Sequence, residues 1–86
     1  MLLLVKKLFG AFFIKLEKRM TLGKYLENVR LNKNMSKRQF AILIGVSNQY
    51  IGNIEKDISV PGLIPIIRYI NAGADFNIIK KLVKIK

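Results

Sequence analysis

Three carboxamide side chains, Asn48, Gln49 and Asn53, fall close together on a chain of 86 residues whose formal charge is +11. A carboxamide donates and accepts hydrogen bonds at once, which matches the N6 and N7 edge of adenine. Around them lie side chains able to hold phosphate, namely Ser36, Lys37, Arg38, Ser47, Tyr50 and Lys56. Other chemistries find little material. The chain has no Cys and no His, so a disulfide, a thiolate metal site, and a thiol or imidazole nucleophile or base are all excluded. Zinc would have carboxylates alone, and no metal or other cofactor is expected. The five carboxylates sit in basic or structural contexts, and no Gly-rich phosphate loop is present. These residues speak for binding and against catalysis.

Such groups need a rigid mount, and residues 36 to 55 supply one. The stretch reads as two short helices meeting at a sharp corner. Ser36 and Ser47 are each placed to cap a helix N-terminus with their hydroxyls. Gly45 suits a turn that needs positive φ, and Ala41, four residues earlier, is small where the helices approach. Phe40, Ile44, Val46, Ile51 and Ile54 supply the inward-facing apolar positions. The pattern is a helix-turn-helix, and on a basic chain it points to DNA.

The flanks extend the helical reading. Thr21 is placed to cap a first helix over residues 22–32, with Leu22, Leu26 and Val29 as its core stripe. The second and third helices are expected over 37–44 and from Asn48 to about Lys56. A fourth is expected over 62–72, with Pro65 in its first turn, Gly73 as its stop, and Leu63, Ile66, Ile67 and Ile70 as its apolar face. Asp75 can cap a last helix from Phe76 to about Val83, although residues 82–86 also alternate like a strand. The expected fold class is all-α, a four- to five-helix bundle around one small core.

Taken together, Leu22-Gly23, Arg30, residues 36–41, Gly45-Val46-Ser47, Tyr50-Ile51, Ile54-Glu55 and Pro61 resemble the Cro/repressor, or XRE, class of helix-turn-helix domains. The resemblance runs from about Thr21 to Ile79. It implies a compact lambda-repressor-like bundle and a sequence-specific regulator of transcription that binds double-stranded DNA. Repressors of this kind usually occupy an operator as homodimers. In that frame the third helix is the recognition helix, and Asn48, Gln49 and Asn53 contact bases; the plainer alternative leaves them as solvated helix residues. Ser36, Lys37, Arg38, Ser47, Tyr50 and Lys56 become phosphate contacts, with Lys56 equally readable as a surface charge. Arg30 and Glu55 are expected to pair across the fold in a structural role. Two positions depart from the family pattern: Lys37 stands where Gln is frequent, and Asp57 where Gly is usual. Gly52, inside the recognition helix, reads either as a point of close approach to DNA or as a tolerated residue. The family also admits another use of the body, an antitoxin-like or adaptor protein gripping a protein partner.

Residues 1–19 form a distinct apolar-basic N-terminal segment ahead of the domain expected over 20–86. Lys6, Lys7, Lys15, Lys18 and Arg19 face a single acid, Glu17, and the longest uncharged run is only Leu8 to Ile14. That is well short of the ~20 residues a bilayer-spanning helix needs. Three readings stand: an extra helix packing on the body or on a second subunit, a region ahead of a true start at Met20, or a tether to an anionic membrane surface. Residues 20–86 alone carry eleven basic groups against four acidic ones, so the body attracts polyanions by itself. The absence of Cys fits a reduced, cytoplasmic setting.

Overall fold

In a computed structural model, residues 20–83 are described; the segment 1–19, with its three readings, and residues 84–86 lie outside them. Five helices follow one another: α1 (Leu22–Asn32), α2 (Lys37–Ile44), α3 (Asn48–Glu55), α4 (Leu63–Asn71) and α5 (Phe76–Leu82). Among the described residues there is no strand, so the fold is all-α. Leu26, Phe40, Ile51, Ile54 and Tyr69 are the largest fully buried side chains. They come from four helices, so one core ties α1 through α4 together.

The helix starts are built as their sequences require. Thr21 Oγ1 accepts the Lys24 N–H at 3.2 Å. Ser36 and Gln39 form a reciprocal capping box: Ser36 Oγ accepts the Gln39 N–H at 3.1 Å, and Gln39 Oε1 accepts the Ser36 N–H at 2.9 Å. Ser47 Oγ accepts the Tyr50 N–H at 3.0 Å. Between the second and third helices Gly45 adopts φ 74° and ψ 39°, the left-handed corner where a Cβ is penalised. Elsewhere α1 crosses α3 so closely that a Cβ on Gly23 would stand 2.3 Å from the Ile54 carbonyl oxygen. Glycine is there for proximity, not for a turn.

Asp57 does more than tolerate its position. It takes positive φ (59°), as Asp can, and its carboxylate then reaches back to the start of α1. Oδ1 accepts the Gly23 N–H at 2.8 Å, and Oδ2 accepts the Thr21 hydroxyl. A negative group at a helix N-terminus is favoured by the helix dipole as well as by these bonds. Glycine, usual here in the family, would ease the backbone but leave the α1 N-terminus without this partner. Asp57→Gly and Asp57→Ala are both expected to lower stability, by about 1–2 kcal/mol for Ala, in thermal or urea unfolding. A Gly variant as stable as the parent would reduce Asp57 to a turn residue.

The fourth helix departs from expectation. Of Leu63, Ile66, Ile67 and Ile70, none is fully buried: Ile66 and Ile70 are half-buried, whereas Leu63 is 75% and Ile67 46% exposed. Tyr69 fills the core instead, its ring 5.3 Å from that of Phe40 and tilted by 44°. The apolar residues of α4 do gather on one side, but that side turns largely outward, and packing buries Tyr69, which lies off that stripe. Arg68 lies beside Tyr69 and donates from Nη1 to the Ile44 and Gly45 carbonyls at 3.0 and 3.3 Å. It thereby satisfies acceptors left open at the end of α2 and clamps α4 to the corner.

The remaining boundaries shift by a residue. Lys56 and Val83 are C-caps, and Gly62 and Ala72 flank α4 instead of belonging to it. At α5, Asp75 Oδ1 accepts the Asn77 N–H at 2.8 Å, and the Tyr25 hydroxyl accepts the Asp75 N–H at 2.8 Å. Leu82 is helical, so the strand alternative is not taken there.

The Tyr69 hydroxyl is buried with no hydrogen-bond partner among the described residues. Burial pushes its ionisation well above the usual tyrosine range. The folded state therefore holds the phenol neutral, while the unfolded chain ionises near pH ~10. Stability from this group is complete below that pH and falls as pH rises through it. Tyr69→Phe removes an unpaired hydroxyl and the titration together. The variant is expected to be at least as stable as the parent at neutral pH, and to lose less stability between about pH 9 and 11, in urea unfolding across that range.

Candidate nucleic-acid interface

The third helix is mounted with its open face outward. Ile51, Ile54 and Glu55 are buried, while Asn48, Gln49 and Lys56 are exposed and Gly52 and Asn53 half-buried. Positions 49, 52, 53 and 56 follow one helical stripe, and 48 lies one turn before 52. So the three carboxamides stand together on the outer side of a two-turn helix. None of them is engaged in a side-chain hydrogen bond with another described residue. Their donors and acceptors are available to an external partner.

The expected phosphate-holding residues surround this stripe at the helix starts. Ser36 and Ser47 use an oxygen lone pair for capping, which leaves each hydroxyl proton free to donate. Lys37 is half-buried and Arg38 exposed in the first turn of α2. Tyr50 is packed partly against the core, and its hydroxyl accepts the Gly62 N–H at 3.4 Å, so its own proton also points to no described acceptor. Lys56 closes α3 at its C-terminus, on the far side from Lys37 and Arg38 in chain order.

Beneath the stripe sits the ion pair. Arg30 Nε donates to Glu55 Oε2 at 2.7 Å and Nη2 to Oε1 at 3.0 Å, a two-pronged contact. Arg30 Nη1 also donates to the Met35 carbonyl at 2.8 Å, at the entrance to α2. The two side chains are only 8% and 2% exposed. The Glu55 hydrogen bond raises the Arg30 pKa further above its ordinary value, against the opposing effect of burial. One guanidinium thus joins α1, the α1–α2 connection and the end of α3.

Every acidic side chain in residues 20–83 is occupied in this way. Glu27 pairs with Lys24 at 3.0 Å, Glu55 with Arg30, Asp57 holds the start of α1, and Asp75 caps α5. Lys33, Lys37, Arg38, Lys56, Lys80 and Lys81 have no acidic partner among the described residues. The result is a body whose positive charge is not locally neutralised. Lys80 lies 5.0 Å from the centroid of the Phe76 ring, a cation–π contact that partly covers an exposed aromatic.

Sequence reasoning had no hold on the Arg68 clamp, the Tyr25 cap or the close approach at Gly23, because each depends on a contact distant along the chain. Asp57 did carry a signal, its departure from Gly, but that signal named a tolerance and not a bond. No group of residues able to hold a metal ion occurs among the described residues. No helix of the described residues is long and apolar enough to cross a membrane.

Two short helices clamped at a left-handed glycine, the second carrying a free polar stripe on a basic body, define a DNA-binding regulatory domain. Residues 26–72 match the helix-turn-helix family model of the Cro/C1 type, more than half of the chain, and the protein belongs to that family. No curated protein and no solved structure matches the chain.

Proposed function

We propose that this protein is a sequence-specific regulator of transcription that acts as a repressor, occupying an operator in double-stranded DNA. The observation that carries this reading is the outward stripe of α3, where Asn48, Gln49 and Asn53 stand with no competing intramolecular bond. A recognition helix enters the major groove with its first residues foremost, which brings Asn48 and Gln49 to adenine edges before Asn53. Ser36, Lys37, Arg38, Ser47, Tyr50 and Lys56 hold the phosphates to either side and set the register of the helix in the groove.

One such domain reads only a few base pairs, so the working form is a homodimer on a two-fold symmetric site. The apolar residues that α4 leaves open, Leu63, Ile64 and Ile67, offer a surface of suitable chemistry for a second copy. The test is selection from a random duplex library by the full chain at near-physiological salt. Enrichment of a two-fold symmetric motif is the expected result. Binding that is sequence-blind and vanishes with salt would reject operator reading.

A further inference from the structure

Gly52 is the one helix-interior glycine of the described residues whose presence no backbone conformation or close neighbour requires. Gly23 is held by the approach of Ile54, and Gly45 and Gly73 have positive φ. Gly62 lies outside any helix interior, at the N-cap of α4, where glycine carries little cost. Gly52 lies inside α3 with ordinary helical geometry, and a Cβ added there meets nothing within 4 Å. Glycine in a helix interior is costly relative to alanine. Here no protein neighbour explains it, so the explanation is sought outside the chain.

Its surroundings say where. Gly52 is four residues after Asn48, three after Gln49 and next to Asn53, in the middle of the free carboxamide stripe. Carboxamides in the major groove suit adenine, and each adenine is paired with a thymine whose C5-methyl projects into that same groove. A face that reads A·T pairs from both ends must accommodate methyl groups between its readers. We propose that Gly52 is the point of closest approach to the duplex, where a thymine methyl packs directly on the α3 backbone in the space a Cβ would take. This rests on the reading of α3 as the recognition helix. It assigns Gly52 a specificity role that hydrogen-bonding side chains cannot supply, preference for thymine by a methyl-sized gap.

The experiment compares the full chain with Gly52→Ala on the duplex enriched in the library selection. Gly52→Ala is expected to raise Tm by about 4 °C or more, yet to weaken binding to that duplex by about tenfold, roughly one bad contact. Replacing one particular thymine of each half-site with uracil removes the methyl and keeps the base pair. That duplex is expected to weaken for the parent and to recover most of its affinity for Gly52→Ala. Undiminished binding by Gly52→Ala overturns the proposal, as does a loss that no thymine-to-uracil replacement recovers. Asn48→Ala separates the two levels: if it loses affinity while Gly52→Ala does not, only the methyl contact fails. If neither loses affinity, the recognition-helix reading fails with it.

Discussion

Arg30→Ala is expected to leave little folded protein at 37 °C, with a loss of about 3–5 kcal/mol in urea unfolding followed by far-UV circular dichroism. The substitution strands Glu55, 2% exposed at its side chain, without a counter-charge, and frees the Met35 carbonyl as well. A small domain has total stability of only about 5–15 kcal/mol, and a body of this size belongs to the lower part of that range. Glu55→Ala is expected to cost a similar amount by stranding the guanidinium. The informative variant is the pair: Arg30→Met with Glu55→Leu removes both charges and refills the volume, so it is expected to recover most of the loss. Single substitutions within about 1 kcal/mol of the parent would show that water reaches the pair and that it behaves as a surface bridge. Because α3 is anchored by Glu55, the single variants are also expected to lose DNA binding, through the folded fraction and not through any contact.

The second large effect concerns binding alone. Asn48→Ala and Gln49→Ala are each expected to weaken the preferred duplex by about 1–3 kcal/mol, a factor of roughly 5 to 150. Both side chains are exposed and hydrogen-bonded to no described residue, so Tm is expected to stay within about 2 °C of the parent. Affinity for unrelated duplex is also expected to hold, since phosphate contacts supply it. Lys37→Ala and Arg38→Ala are expected to give the contrasting pattern, a loss shared by all sequences. Titrations against preferred and scrambled duplexes read this directly. An equal loss on both duplexes for Asn48→Ala and Gln49→Ala would make them backbone contacts and move base reading elsewhere.

The helix-turn-helix itself was legible because its signals are local. Ser36, Gly45 and Ser47 announce their caps and corner within a few residues, and the Leu22, Leu26, Val29 stripe has a polar background to stand against. The fourth helix was not legible in the same way. Leu63, Ile64, Ile66, Ile67 and Ile70 form one apolar face that periodicity marks as inward, and only tertiary packing could choose Tyr69, off that face, for the interior. Long-range polar work was equally hidden: nothing near Asp57 or Arg68 in the chain marks the helix termini they serve. The candidate base-contacting residues were chosen by type and position, and the fold brings Asn48, Gln49 and Asn53 to one outer stripe. Which atoms of DNA they meet is a matter for the measurements above.

The engagement of the acidic side chains among the described residues has a consequence for dosage. Glu27 and Glu55 are paired to Lys24 and Arg30, and Asp57 and Asp75 are bonded to helix starts. Lys33, Lys37, Arg38, Lys56, Lys80 and Lys81 therefore meet a duplex with no ion-pair partner of their own among the described residues. If the proposed operator binding holds, most copies are expected to sit on DNA wherever DNA is in excess, and an operator then competes against the remaining DNA instead of against solvent. Occupancy is then governed by the ratio of copies to total DNA multiplied by the preference for the right sequence. Doubling the DNA halves that ratio, so the protein would respond to genome content as directly as to its own synthesis.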